Sequence, residues 1–134
     1  MLSPISSATV ISRIEMYYHG IKGFLHWGYN YYYNLMSQGL FDPKIDPCGY
    51  NNHPGTCYFV YPATDGTAIQ TTRQKVFGEA LLDVRALHAL EKKHGAAFAR
   101  ALIERHFGEI SMYTKVESPE QLLAFREELN AAMM

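Results

Sequence analysis

A long run of helix-type periodicity constrains the fold of this chain more than any other feature. From Ile69 to about Lys93, apolar side chains recur at intervals of three and four residues, which is the spacing of one helix face. The pattern therefore predicts a long helix with one buried stripe. The residues of that stripe are Val76, Phe77, Ala80, Leu81, Val84, Leu87 and Leu90.

Two further helices are predicted after this run. Gly95 separates the long helix from a second one, which spans Ala96 to about Phe107. Ser118, Pro119 and Gln121 then fit the N-cap, N1 and N3 positions of a third helix. The C-terminal half of the chain is therefore expected to be rich in helix.

The N-terminal part predicts a loop, a helix and a strand in that order. Residues 1–8 are rich in serine and are expected to form a loop. Val10 to His19 reads as a helix that Gly20 ends. Lys22 to Tyr29 is apolar and aromatic, as expected of a buried first strand.

A second strand-type run extends from Cys57 to Pro62, and the turn sequence Thr64 to Thr67 follows it. Residues 31–56 lie between the two runs and predict a long loop, and loops of that length in a compact domain are usually functional or mobile. Strands and helices together predict an α/β fold.

The first strand-type run changes abruptly to Trp27, Tyr29 and Asn30 at its end. A ring that can stack beside polar side chains that can hydrogen-bond is typical of the wall of a sugar site. A tryptophan packed in the core beside a turn explains the same residues, and this run alone does not separate the two interpretations.

Three blocks in order resemble one known family. They are Gly-Phe-Leu-His-Trp-Gly-Tyr-Asn from Gly23 to Asn30, Phe-Val-Tyr-Pro from Phe59 to Pro62 with Asp65-Gly66 after it, and the helix from Arg73 to Glu91. The chain resembles the C-terminal part of the bacterial family called domain of unknown function 4091. Relatives of that family include the β-N-acetylgalactosaminidases of glycoside hydrolase family 123.

The resemblance extends outward in both directions and shows a few departures. Ile11 to Ile14 resembles the helix that precedes the first block, and Gly108 to Ser111 resembles the family's tail. Gly55-Thr56, Ala63 and Thr71-Thr72 depart from the usual family pattern. These departures affect the detail of substrate contacts more than the family itself.

The fold that the resemblance implies is a (β/α)8 barrel, and length limits how much of it the chain can form. Such a barrel typically needs about 250 residues, whereas this chain has 134. Residues 1–134 are therefore expected to be a single domain that corresponds to the C-terminal portion of a barrel, with two strands and their flanking helices. Unpaired strand edges and an uncovered helix face would favour a homodimer.

The catalytic residues that the resemblance implies are missing. Glycoside hydrolysis generally needs two carboxyl groups, and in substrate-assisted enzymes the sugar's acetamido group replaces the nucleophile. The resemblance implies that second mechanism, with an adjacent Asp-Glu pair that orients the acetamido group and protonates the leaving oxygen. The chain contains no Asp-Glu dipeptide, so no catalytic residue is assigned.

Other carboxylates do not replace that pair. Glu79 and Asp83 are four residues apart on the long helix and are expected to pair with arginines such as Arg73 or Arg85, or to cap backbone. Asp65 follows the second strand, where barrel sites form, but Asp-Gly is also a common turn signal. Both interpretations of Asp65 stay open, with the turn slightly favoured.

The predicted substrate-binding residues are Trp27, Tyr29, Asn30, Tyr61 and Asp65. The resemblance implies an N-acetyl-hexosaminide as substrate, and it predicts that the chain supplies the aromatic wall of the sugar site and is inactive alone. A non-catalytic carbohydrate-binding or assembly module is the alternative hypothesis. A truncated reading frame without separate activity is the third hypothesis. Neither the sugar nor the linkage follows from the sequence.

Composition excludes some classes of partner. The net charge of -1 and the lack of a basic stripe argue against nucleic acid. No apolar run reaches 18 residues, so no membrane span is predicted. The first residues lack the basic start and apolar core of a signal peptide, which makes a cytoplasmic location the default for this chain. No cofactor is predicted.

The two cysteines, Cys48 and Cys57, have His53 between them in a stretch rich in proline, glycine and asparagine. A structural zinc site needs four such ligands. Only His19, His26 or a carboxylate could complete one, and their spacing fits no known pattern. Free thiols are therefore expected, since no secretory context supports a disulfide.

Overall fold

The computed structural model describes residues 4–25, 28–29, 58–63 and 65–134. These residues form helices α1 (Pro4–Tyr18), α2 (Thr72–His94), α3 (Ala96–Phe107) and α4 (Pro119–Met133), and strands β1 (Val60–Pro62) and β2 (Ala68–Gln70). The predicted α/β class with a helix-rich C-terminal half is confirmed at this level. The chain divides into two compact units, one of Met1–Gly23 with Val76–Met134 and one of Phe24–Lys75.

Helix α3, the start of α4 and the end of α2 agree closely with the prediction. Gly95 lies between α2 and α3, as expected, and its φ of 89° is a conformation that residues other than glycine rarely adopt. Ser118 caps α4, because its hydroxyl accepts a hydrogen bond from the Gln121 N–H at 3.2 Å. Local signals decide these helix ends, which is why the sequence predicts them well.

The start of α2 is a correction. The helix was expected from Ile69, but Ala68–Gln70 forms β2, and the helix begins only at Thr72. β2 pairs antiparallel with β1, with Tyr61 opposite Ile69 in the register. The hydrogen bonds of that ladder hold the backbone extended up to Thr71, so tertiary pairing overrides the helical pattern here.

The N-terminal prediction is also corrected, in two places. Helix α1 begins at Pro4 within the expected loop, because proline is well tolerated in the first helical turn. The strand expected from Lys22 to Tyr29 is absent from its described residues, which have irregular backbone. Phe24 and Leu25 are 50% and 86% exposed, so this stretch also lacks the burial that its apolar residues predicted.

The core of the first unit comes from all four helices and the segment between α3 and α4. Its buried apolar residues pack as one cluster, which consists of Ile11, Ile14, Tyr18, Ala80, Leu87, Leu90, Ala99, Leu102, Ile103, Ile110, Leu122, Phe125 and Leu129. The predicted stripe of α2 is partly right, since Ala80, Leu87 and Leu90 are buried. Leu81, however, is 39% exposed.

Asp83 is the unexpected buried residue of α2. Its carboxylate accepts two hydrogen bonds from the Arg126 guanidinium of α4, from Nε to Oδ1 at 2.8 Å and from Nη2 to Oδ2 at 2.7 Å. The expected partners were Arg73 or Arg85, so the structural role is supported but the partner was wrong. Burial raises the pKa of Asp83, and the bonds from Arg126 act against that rise.

The ends of α3 and α4 are joined by polar contacts as well. Glu128 of α4 accepts from Arg105 and from His106 Nε2 of α3. The Gln121 side chain donates to the His106 carbonyl at 2.7 Å and accepts from the Glu117 N–H at 2.7 Å. These contacts satisfy backbone groups at the end of one helix and the start of the next, which would otherwise lack partners.

Replacing Asp83 with alanine should destabilise the first unit strongly. The pair is partly buried, with Arg126 27% exposed, and its loss should cost about 1.5–3 kcal/mol, the range for hydrogen bonds to charged groups. Urea denaturation at pH 7 measures the loss. Glu79→Ala is the matched control, since Glu79 is an exposed carboxylate on the same helix and its removal should cost within about 0.5 kcal/mol. Equal small losses in both variants would contradict the role of the pair.

Candidate functional site

Three of the five predicted substrate-binding residues lie in the described part of the chain. Tyr29, Tyr61 and Asp65 all belong to the second unit, Phe24–Lys75. Trp27 and Asn30 lie outside the described residues. The geometry of the site therefore rests on the backbone and side chains that surround Tyr29 and β1.

Backbone hydrogen bonds bring the two aromatic blocks together. The Tyr29 carbonyl accepts from the N–H groups of Phe59 and Val60, at 2.6 and 3.3 Å. The Tyr29 and Phe59 rings then stack, with centroids 6.2 Å apart and planes 20° apart. Tyr29 is 53% exposed, so much of its side chain is accessible to solvent.

The second aromatic pair is formed by Tyr58 and Tyr61. Their ring centroids are 5.3 Å apart, and the planes are tilted by 40°. Tyr58 is fully buried, whereas Tyr61 is half-buried. The buried ring thus supports the more accessible one, which is the arrangement that a binding surface needs.

The start of α2 contacts this segment through two polar side chains. Thr71 donates from its hydroxyl to the Phe59 carbonyl at 2.6 Å and accepts from the Gln74 N–H at 3.2 Å. Arg73 donates from Nε to the Tyr58 carbonyl at 2.9 Å and from Nη2 to the Tyr61 hydroxyl at 3.3 Å. One residue caps the helix and both anchor it to the aromatic segment.

Neither Thr71 nor Arg73 was predicted as a site residue. A threonine just before a helix is a recognisable N-cap signal, and it would have placed the helix start correctly. The role of Arg73 had no such signal, because its partners are a backbone carbonyl and a phenol 15 and 12 residues earlier in the chain.

Asp65 makes its described contacts inside the turn between β1 and β2. Its Oδ1 accepts from the Thr67 hydroxyl at 2.7 Å and from the Thr67 N–H at 3.0 Å. Gly66 follows with a φ of 81°, which the turn requires and which favours glycine. The hydrogen bonds from Thr67 lower the pKa of Asp65, because they stabilise its charged form. The turn interpretation is thus supported, while a saccharide contact stays a prediction.

A cleft of about 220 Å³ lies in the first unit, and it is not lined by any of the described predicted contacts, Tyr29, Tyr61 and Asp65. Its polar side chains include Tyr17, whose hydroxyl donates to Glu91 at 3.0 Å, and Arg100, which pairs with Glu104 at 3.0 Å. The Arg100 guanidinium also lies 3.8 Å from the centroid of the Tyr18 ring. These groups already bind one another, so the cleft receives no functional assignment.

The structure bears on metal binding and membrane insertion only within the described ranges. No group of three or more His, Cys, Asp or Glu side chains there could hold a metal ion. No helix in those ranges is both long and apolar enough to cross a bilayer. Cys48, His53 and Cys57 lie outside the described residues, so the expectation of free thiols stays a prediction.

Comparison with models of known protein families finds one match. The model described as glycoside hydrolase 123, catalytic domain, matches residues 1–90. The matched range contains all five predicted contacts, both aromatic blocks and most of α2. Residues 91–134 lie beyond the match, including the Gly108 to Ser111 segment that resembles the family's tail. No curated protein matches the chain.

The turn role of Asp65 predicts different effects for two substitutions. Asp65→Asn should preserve the turn, because an amide oxygen can still accept from Thr67, whereas Asp65→Ala removes the acceptor. The Thr67 amide should therefore exchange with deuterium faster in Asp65→Ala than in wild type, and nearly as in wild type in Asp65→Asn. Since the pKa of Asp65 is lowered, the turn should also weaken as the pH falls below about 4. Equal exchange rates in all three proteins would contradict this role.

Proposed function

Because the chain belongs to the glycoside hydrolase 123 family, we propose that its aromatic segment forms one wall of a site for N-acetyl-hexosaminides. Membership of a glycoside hydrolase family implies a carbohydrate substrate. The observation that carries the finer proposal is the contact between the two aromatic blocks. The Tyr29 carbonyl binds the Phe59 N–H, and both blocks lie within the matched residues 1–90.

The proposed wall combines rings with polar groups. Trp27, Tyr29 and Tyr61 would supply flat apolar faces, against which the C–H groups of a sugar ring can pack. Asn30 and Asp65 would supply hydrogen bonds to hydroxyl groups. The exposure of Tyr29 and the partial exposure of Tyr61 support this proposal, since a ring must be accessible to meet a ligand.

The wider fold is part of the same proposal. We take residues 1–134 to correspond to the C-terminal portion of a (β/α)8 barrel, whose active site is built at the C-terminal ends of its strands. In that arrangement the segment after β1 would face the substrate. The aromatic wall would then be completed by barrel strands that these 134 residues do not supply.

Catalysis would depend on residues outside this chain. A substrate-assisted hydrolase needs an acid to protonate the leaving oxygen and a second carboxylate to orient the acetamido group. The 134 residues contain no adjacent Asp-Glu pair. Asp83 is bound to Arg126 and Asp65 is held in its turn, so neither is available as that acid. Binding without cleavage is the function proposed for the isolated chain.

A non-catalytic carbohydrate-binding or assembly module is the second candidate, and it would use the same aromatic residues. Phe24 and Leu25 are 50% and 86% exposed, and Ile69 of β2 is 45% exposed; large exposed apolar side chains favour an additional contact with protein. Association as a homodimer stays a prediction of the strand-edge argument. Sedimentation of the chain across a dilution series distinguishes a dimer from a monomer of 15.2 kDa.

The isolated chain should not hydrolyse aryl β-N-acetyl-hexosaminides. No acid pair is present to protonate the leaving group, so release of nitrophenol from the N-acetylgalactosamine and N-acetylglucosamine derivatives should stay at the background rate. A continuous colorimetric assay between pH 4 and 8 measures this. Turnover that disappears when a carboxylate of this chain is replaced would overturn the expectation and place the acid within residues 1–134.

Replacing Trp27 with alanine tests the wall directly. If Trp27 stacks on the sugar, the change should weaken saccharide binding by about 1 kcal/mol or more and leave the melting temperature nearly unchanged. If Trp27 belongs to the core, the change should instead cost about 3–5 kcal/mol of stability. Calorimetric titration and thermal melting of the same sample separate the two outcomes, and Tyr113→Ala, an exposed aromatic outside the matched residues, is the control.

A further inference from the structure

We infer that Arg73 is a positioning residue that aims the Tyr61 hydroxyl at the saccharide as a hydrogen-bond donor. This inference rests on the proposed function, because it assigns a task to one residue of the proposed wall. It adds a residue that the sequence did not identify as part of the site. All the contacts that support this role lie within the second unit.

The Arg73 guanidinium is held by the backbone before it reaches Tyr61. Its Nε donates to the Tyr58 carbonyl at 2.9 Å, which fixes one edge of the planar group. Its Nη2 then lies 3.3 Å from the Tyr61 hydroxyl oxygen. Because guanidinium is a rigid fork of donors, fixing one edge also fixes the direction in which the other edge points.

The direction of the Tyr61 O–H follows from donor and acceptor chemistry. Arginine carries only donors, so the Tyr61 oxygen must accept in this contact and its own proton must point elsewhere. Among the described residues, no group accepts a hydrogen bond from the Tyr61 hydroxyl. In the inferred role, this proton goes to an acceptor on the saccharide, such as a hydroxyl, ring or amide oxygen.

The charge of Arg73 also improves Tyr61 as a donor. A hydroxyl that accepts from a cation is polarised and donates more strongly than an isolated one. No carboxylate pairs with Arg73 in the described part of the chain, so its charge is not neutralised there. Both effects act on one atom, and both are lost if the guanidinium is removed.

The experiment is a double-mutant cycle on the 134-residue chain with N-acetylgalactosamine as the probe. The proteins are wild type, Arg73→Met, Tyr61→Phe and the double variant, and Arg85→Met is the control because Arg85 is an exposed arginine on the same helix. Calorimetric titration gives the affinity. Tyrosine labelled with ¹³C at Cζ reports the hydrogen bonding of each phenol, and Tyr61→Phe identifies which of the ten signals belongs to Tyr61.

The expected result has three parts. Arg73→Met shifts the Tyr61 Cζ signal and weakens binding about three- to tenfold, which is the effect of one hydrogen bond. Tyr61→Phe weakens binding by a similar factor. In the double variant the loss of Arg73 adds nothing further, because its effect is transmitted through the hydroxyl, and Arg85→Met changes neither the signal nor the affinity.

Several results would overturn the inference. An unmoved Tyr61 signal in Arg73→Met, or an equal loss of affinity with and without the Tyr61 hydroxyl, would mean that Arg73 acts by another route. If Arg73→Met fails to fold, Tyr61→Phe decides, since unchanged affinity in that variant rejects the hydroxyl as a contact. If Arg73→Met shifts the Tyr61 signal but the wild-type protein binds no saccharide, the proposed function is rejected, and with it the saccharide role of Tyr61.

Discussion

The hydroxyl of Thr71 makes the interaction on which the candidate site depends. It accepts from the Gln74 N–H and donates to the Phe59 carbonyl, so one small side chain both starts α2 and attaches that start to the aromatic segment. Thr71 is only 8% exposed, and a buried hydroxyl needs such partners to offset its desolvation. Arg73 can reach Tyr58 and Tyr61 because it lies in the first turn of α2, two residues after Thr71.

Sequence reasoning succeeded where structure is decided locally. The end of α2, both ends of α3 and the start of α4 follow from apolar periodicity, from Gly95 and from the Ser118 cap, all of which act within one or two helical turns. It failed where distant residues decide. β2 was read as the beginning of a helix because its pairing with β1 is invisible in a periodic pattern, and Asp83 was expected to bind arginines nearby in the chain when its partner lies 43 residues away.

The same distinction applies to the candidate site. Its candidate aromatic residues stand out in the sequence, because Tyr29 and Tyr61 lie near the ends of short apolar runs, but their contact with a saccharide stays a prediction. The contacts that orient those rings could not be predicted. The Tyr29 carbonyl binds a segment thirty residues later, and such backbone pairing depends on how the chain folds back and not on side-chain type.

The single residue between α2 and α3 limits where this chain can accept insertions and deletions. Gly95 donates its N–H to the Glu91 carbonyl and accepts from the Ala99 N–H, so it takes part in the hydrogen-bond patterns of both helices. No spare residue exists there to absorb a shift in register. Each residue inserted into a helix turns everything after it by about 100°. An insertion near the junction would therefore rotate α3 relative to α2. The two helices are expected to accept insertions and deletions only at the ends away from Gly95.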